Sequence, residues 1–406
     1  MTAGAPLEGL HIVEIATYVA APSGAMTLAQ LGAEVVRVDP IGGASDIGRL
    51  PLDDRGRSLY WAGLNKAKRS VEIDTTTEDG RQLVHQLLAA HGPGGGILLT
   101  NAVAQPWLAY DQLAAARPDL IVVHVTGRPD GKPAVDYTVN CEVGLPLITG
   151  PADVDRPVNH VLPAWDLLTG LHAALGILAA ERVRTRTGRG QLVTVALADV
   201  AVATMGHLGF LADVALNGRG RLRDGNYLYG SFGCDFATRD GRRVMIVALT
   251  ERQWRNLVAL TGIGEVIGAL ERSLGADLSA EEARYEHREV LSGLLRPWFE
   301  SRDFPQVAGA LDRARVLWGP YRSLEELVED PGSLLNLSPV IGPLTHLDGR
   351  AYPAPGPVLD FAGWPAGPVS PPPTLGADTD GVLAEVGVGP DRRADLRVRG
   401  VIGTPS

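Results

Sequence analysis

The sequence predicts an α/β protein, with a large domain on a parallel sheet and a smaller α+β domain after it. Three observations lead there. Through the first third, short apolar runs alternate with helical stretches, the pattern of a parallel sheet covered on both faces. Two long helical stretches then flank one further strand between Ala164 and Asn217. At about Asn217 the composition turns basic and glycine-rich, in NGRGRLRDGN, and a hairpin signal follows at Asp240-Gly241.

In chain order, LHIVEIA (Leu10–Ala16) reads as a buried strand, PSGAMTLAQLGA as a helix and EVVRVDP (Glu34–Pro40) as the second strand. A loop carrying NKAKRS follows, then a helix at GRQLVHQLLAAH and a strand at GILLTN (Gly96–Asn101). YDQLAAA is a short helix and LIVVHV (Leu120–Val125) a strand. Ligands on such sheets bind beyond the carboxyl ends of the strands. A long helix is expected from Ala164 to Arg186, with Leu168, Leu171, Leu175 and Leu178 as its apolar stripe. TGRGQ ends it and LVTVAL (Leu192–Leu197) is a strand. ADVAVATMGHLGFLADVALN reads as a second long helix, poor in charge and suited to burial. The expected boundaries are a large domain over 1–216, a linker over 217–225 and a small α+β domain over 226–329. The proline-rich segment 330–406 is expected to return to the large domain.

Composition limits the function. A net charge of −10 argues against a general nucleic-acid or membrane-surface binder, although a local basic cluster could still hold a phosphate. The sequence lacks an apolar run long enough for a transmembrane helix, and its start lacks the pattern of a secretory signal, so a cytoplasmic enzyme is expected. Cys141 and Cys234 have no ligand or redox spacing and are expected as two buried thiols. The nine histidines form no H-x-x-H or H-E-x-x-H set, so no metal site is expected. There is no G-x-S-x-G, and the first strand-turn-helix lacks the G-x-G-x-x-G of a dinucleotide site.

Two clusters carry chemistry. In NHVLPAWDLLTG, Asp166 stands at a helix start, where a carboxylate can cap backbone N–H groups or be held ionised as a nucleophile; spacing does not separate the two. In NKAKRS, Lys66, Lys68 and Arg69, with Arg37 on the preceding strand, read equally as a solvated face or as a grip on phosphates.

These stretches together resemble the class III CoA-transferases, the superfamily of formyl-CoA transferase and carnitine CoA-transferase. The likeness runs along essentially the whole chain. It includes PLEGLHIVEIATYVAAPSGAMTLAQLGAEVVRVDP, LNKAKRSVEID, LLTNAVAQ, WDLLTGLHAALGILAAERVRTRTGRGQLVTVAL and GNYLYGSF. VAAPSGAMTLAQLGA, YWAGLNK, DYTVN, VNHVLPAWD and GNYLYG resemble most a branch that moves CoA between the two carboxylates of one dicarboxylic acid. The resemblance implies a Rossmann-like large domain in an interlaced homodimer, an acyl-CoA substrate, and no cofactor beyond the CoA moiety of that substrate.

By the same resemblance Asp166 is the nucleophile, working through an aspartyl anhydride and an aspartyl-CoA thioester. CoA-binding positions fall on Tyr18, Val19, Ala20, Arg37, Lys68, Arg69 and Asn101. Two departures stand out: Val19 replaces a glutamine used in oxalate chemistry, and Ala109 an arginine near the CoA phosphates. The related racemases pair a histidine with an aspartate, but here Val135 precedes Asp136, and valine cannot shuttle a proton. Asn159 and His160 are candidates for the substrate's distal carboxylate, or simply satisfied polar groups of a loop.

Overall fold

The computed structural model describes residues 4–345, 349–365 and 367–404. In chain order its first part comprises β1 (His11–Ile15), α1 (Ala20–Gln30), β2 (Glu34–Asp39), α2 (Leu59–Leu64), β3 (Arg69–Glu72), α3 (Glu78–Ala89) and β4 (Ile97–Thr100). Then come α4 (Tyr110–Ala116), β5 (Ile121–Thr126), α5 (Asp136–Glu142), α6 (Leu145–Ile148), α7 (Ala164–Thr187) and β6 (Leu192–Ala196). The six strands form one parallel sheet in the order β3-β2-β1-β4-β5-β6.

Strand alternation sorts the core into two layers. Val13, Val36, Leu98 and Val122 face Leu83, Val84 and Leu87 of α3. Their neighbours Ile12, Val35, Leu99 and Val123 face the other way, onto Ala21, Ala25 and Leu28 of α1 and Ala173 and Ile177 of α7. Burial on both faces is why these runs are rich in Val, Ile and Leu; Glu14 of β1 and Arg37 of β2 are charged exceptions that pair with each other. Strand order reverses between β1 and β4, and the crevice opens at their carboxyl ends. Asn101 staples the two outgoing loops, accepting from the Thr17 N–H at 3.3 Å and donating to the Thr17 carbonyl at 3.1 Å.

Several expectations need correction. NKAKRS is not all loop: Ala67 turns the chain with φ of 63°, and Arg69 opens β3 at the sheet edge. That edge is covered by the tail, where Ser70 N–H donates to the Asp378 carboxylate and Asp378 N–H to the Ser70 carbonyl.

The leucine stripe of α7 is not its packed face. Leu171 and Leu175 are 54% and 63% exposed, while Thr169, Gly170, Ala173, Ala174 and Ile177 are buried. A close crossing of α1 selects small residues: a Cβ on Gly170 would lie 2.5 Å from the Ala20 carbonyl oxygen. This contact sets the first turn of α7 beside the start of α1.

The second long helix breaks at Gly209, whose φ is 80°, into α8 (Leu197–His207) and α9 (Phe210–Asn217), bent by 61°. No residue of α9 is buried, contrary to the expected burial. Among the described residues no single helix is long and apolar enough to cross a membrane. Finally, Cys234 is buried but Cys141 is exposed.

The chain divides into two compact units. The first gathers the chain up to Val143, His160–Asn217 and the tail from Ser338; the second holds Gly144–Asn159 and Gly218–Leu337. Within the second, β7 (Phe232–Ala237), β8 (Arg243–Ala248) and β9 (Leu317–Pro320) form an antiparallel sheet in that order, over a core including Phe232, Phe236, Trp254 and Phe299. The β7–β8 connection contains Asp240-Gly241, with Gly241 at φ of 79°. Gly144–Asn159, expected in the large domain, lies in this unit because Arg223 donates to the carbonyls of Pro146, Val154 and Arg156.

Candidate active site

Asp166 occupies the first turn of α7, yet it is not the residue that caps that helix. Pro163 precedes the helix and offers no side-chain cap. The free N–H groups are taken by Asp136, the first residue of α5, whose Oδ2 accepts from Trp165 N at 2.7 Å and Asp166 N at 3.2 Å. One turn further along α5, Asn140 Oδ1 accepts from the Trp165 indole at 3.1 Å. A carboxylate so placed stabilises a helix start by about 1–2 kcal/mol. Capping therefore falls to Asp136. The Asp166 carboxylate takes no hydrogen bond among the described residues and lines a cavity.

That cavity, about 610 Å³, sits at the carboxyl ends of the strands, within the first unit. Thr17, Tyr18, Val19 and Ala20 line it after β1, Asn101 and Val103 after β4, and Gly127 and Arg128 after β5. Its size suits a small-molecule site. Burial pushes the Asp166 carboxyl up to about 6, the neighbouring Asp136 adds to this, and Arg49 opposes it. A carboxylate of raised basicity is a better nucleophile, provided it is ionised. The acid limb of kcat/KM is accordingly expected near pH 6, falling as pH drops and Asp166 takes up its proton. A pH–rate profile flat down to the ordinary carboxylate range would contradict this environment.

The family model for CoA-transferase family III matches residues 7–379. The chain belongs to CoA-transferase family III. It is 46% identical over 401 residues to 2-methylfumaryl-CoA isomerase of Chloroflexus aurantiacus, covering 98% of each chain. It is 28% identical to a succinyl-CoA–D-citramalate CoA-transferase of the same organism, covering 80% of this chain and 81% of the other. Among solved structures, a CAIB/BAIF family protein from Brucella suis superposes with a TM-score of 0.78 at 25% identity, over 95% of this chain and 100% of that one.

Within this CoA-transferase, Tyr18, Val19, Ala20 and Asn101 line the same cavity as Asp166. Arg37, Lys68 and Arg69 do not line it, and each is already paired. Arg37 is fully buried among Glu14, Asp39 and Asp46, at 3.4, 2.9 and 3.3 Å. Lys68 Nζ meets Glu14 at 2.6 Å and the Pro22 carbonyl at 2.9 Å. Arg69, on the β3 edge, bonds Glu34 and Glu385. In this structure the three cations expected to grip phosphates are held in ion pairs, and Arg37 is linked to the cavity through Asp46. Asp46, held by Arg37, accepts the Tyr18 N–H at 2.9 Å and fixes that residue at φ of 67° on the cavity wall.

His160 stacks on Tyr137, a lining residue, at 6.4 Å between ring centroids, and does not itself line the cavity. Asn159 lies in the second unit and is not among the lining residues. Val135, in the racemase histidine position, is on the wall, so Asp136 has no imidazole partner there. The polar lining residues that sequence reading missed include Arg49, Tyr60, Arg128 and Lys132. Arg49 lies between β2 and α2, where no periodicity marks it.

Proposed function

We propose that the protein is an intramolecular CoA-transferase that converts 2-methylfumaryl-CoA into 3-methylfumaryl-CoA, with Asp166 as its nucleophile. The observation that carries this reading is the 46% identity to 2-methylfumaryl-CoA isomerase over 98% of both chains. The site's chemistry is consistent with it: an unbonded carboxylate of raised pKa in a cavity large enough for a small acyl group.

An Asp166 oxygen attacks the thioester carbonyl, the C–S bond breaks, and CoA thiolate leaves a mixed anhydride. The thiolate then attacks the aspartyl carbonyl, expelling the dicarboxylate and forming an aspartyl-CoA thioester. Next the other carboxylate of the same acid attacks that thioester and releases thiolate again. Thiolate attack on the substrate carbonyl of this second anhydride gives the isomeric thioester and regenerates the Asp166 carboxylate. The first turn of α1, at Val19–Ala21, has no side-chain cap and can offer N–H groups to the developing oxyanions. Retaining the acid makes its second carboxylate an intramolecular partner, with an effective concentration far above any free pool.

The experiment is to supply 2-methylfumaryl-CoA with excess carbon-13-labelled free acid and analyse the product by mass spectrometry. Unlabelled 3-methylfumaryl-CoA at full rate, with no need for added acid, is expected. Extensive label, or dependence on the acid, would make the enzyme an intermolecular transferase like the citramalate relative.

We further infer a cytoplasmic homodimer, with interlaced chains as the resemblance implies. Its support is the exposed leucines of α7 and α9, Leu171, Leu175, Leu211 and Leu216, the last 83% exposed. An isolated chain would leave this apolar surface in water. Sedimentation on dilution should show no monomer; a natively folded monomer at low concentration would contradict the interlaced assembly.

A further inference from the structure

The cavity contains three cations besides its carboxylates, and two are already engaged. Arg128 pairs with Asp130 and Glu142, and Lys132 with Asp130 at 3.6 Å. Arg49 is different. Among the described residues no ion pair holds it, yet packing and backbone hydrogen bonds restrain it. Its guanidinium carbon lies 5.5 Å from the Tyr18 ring centroid and 4.9 Å from that of Tyr60, so two aromatic faces cage it. Its backbone is tied at both groups: Arg49 N–H donates to the Asp46 carbonyl, and the Arg49 carbonyl accepts from the Ser58 hydroxyl. Tyr18, one side of the cage, is itself held by Asp46.

We propose that Arg49, caged by Tyr18 and Tyr60, binds the free carboxylate of the dicarboxylic thioester while Asp166 attacks its other end. This rests on the intramolecular reading above and adds the residue that recognises the substrate class. A guanidinium presents a planar fork that takes a carboxylate in two parallel hydrogen bonds, and stacking on tyrosine limits its motion. An anion is the ligand the site lacks, because Arg49 and Asp166 line one cavity and Arg49 has no carboxylate of its own. The reacting end, and not the CoA phosphates, is the place for that anion. Of the three cations, Arg49 is the one whose charge acts on Asp166, and Asp166 in turn acts on the Tyr60 hydroxyl. One anchor serves both isomers, since each thioester presents the carboxylate that the other has esterified. The same anchor can hold the acid while CoA rests on Asp166.

The test compares two thioesters that differ only in the distal carboxylate: 2-methylfumaryl-CoA and methacrylyl-CoA. Hydroxylamine intercepts the acyl-enzyme, and CoA thiol release is followed for wild type and Arg49→Gln. For the dicarboxylic ester kcat/KM should fall roughly 10–100-fold, the loss expected for a charged hydrogen bond. For methacrylyl-CoA it should stay within about threefold. Arg49→Lys, which keeps the charge and loses the fork, should fall between, and it carries the comparison if the glutamine variant melts early. Equal losses on both esters would place Arg49 on the CoA moiety, and no loss on either would remove it from binding; both overturn the inference. Failure of the intramolecular reading is seen separately, in wild type, as a requirement for added acid.

Discussion

Asp166→Asn is expected to lower turnover by about 10⁴-fold or more, as removal of a covalent nucleophile does, and at the same time to stabilise the protein. Asparagine preserves the shape at the start of α7, and the helix keeps its cap, because Asp136 supplies it. The sign of the stability change follows from the pKa. Burial and Asp136 raise Asp166 from 3.8 to about 6 in the folded protein, so at neutral pH the ionised form is less favourable folded than unfolded. Wild type carries that cost in full above pH 6 and loses it progressively as pH falls through 6 toward 3.8, below which the group is protonated in both states. Removing the charge should therefore add up to about 3 kcal/mol at pH 8, with the gain shrinking toward zero near pH 4. Melting curves of both proteins at the two pH values check it. An asparagine variant that is active, or less stable at pH 8, would show that the carboxylate has another role.

Arg37→Ala should have the opposite character, with a large loss of stability. The side chain is completely enclosed and touches three enclosed carboxylates, Glu14, Asp39 and Asp46, together with Asn65. Those acids outweigh the burial that would otherwise lower its pKa, and they hold it charged. Deleting one partner of such a cluster leaves uncompensated buried charge, costing about 3–5 kcal/mol. Lys68 is paired with Glu14 and Asn65 and, among the described residues, makes no hydrogen bond to Asp39 or Asp46, so it cannot take over. The expected outcome is a strong drop in melting temperature, with Tyr18 released from Asp46 as the cluster opens. A variant of normal stability whose only defect is a raised KM for the thioester would instead make Arg37 a direct CoA ligand.

The sheet was legible because burial on both faces fills β1, β2, β4 and β5 with Val, Ile and Leu, interrupted only by single polar residues such as Glu14, Arg37 and His124. The packed face of α7 was not. Leucines at helical spacing advertise a stripe, but the face that meets α1 is chosen by how closely two backbones approach at Gly24 and Gly170, and small residues carry little hydropathy signal. β3 was hidden for a related reason: four residues beginning with a basic turn become a strand only when the tail covers their edge.

The site divides in the same way. Resemblance singled out Asp166, Tyr18, Val19, Ala20 and Asn101, which line one cavity, and spacing alone left Asp166 divided between cap and nucleophile. What settles the cap is Asp136, thirty residues earlier, and no local pattern links it to Trp165. Arg37, Lys68 and Arg69 looked like a phosphate grip because their neutralising acids are scattered over Glu14, Asp39, Asp46, Glu34 and Glu385. Arg49 went unnoticed because its meaning lies in two tyrosines brought to it by separate elements, the loop after β1 and helix α2.

The central claim, that Asp166 passes CoA to the other carboxylate of the same acid, is tested most directly by oxygen exchange. A single turnover with 2-methylfumaryl-CoA carrying oxygen-18 in its free carboxylate, and no added acid, would be quenched and digested. When that carboxylate attacks the aspartyl thioester, one of its oxygens becomes the anhydride bridge and stays with the enzyme after the last C–O bond breaks. The account predicts one oxygen-18 in the peptide containing Asp166, located to that side chain by fragmentation. Product formed with no label in Asp166 would contradict it.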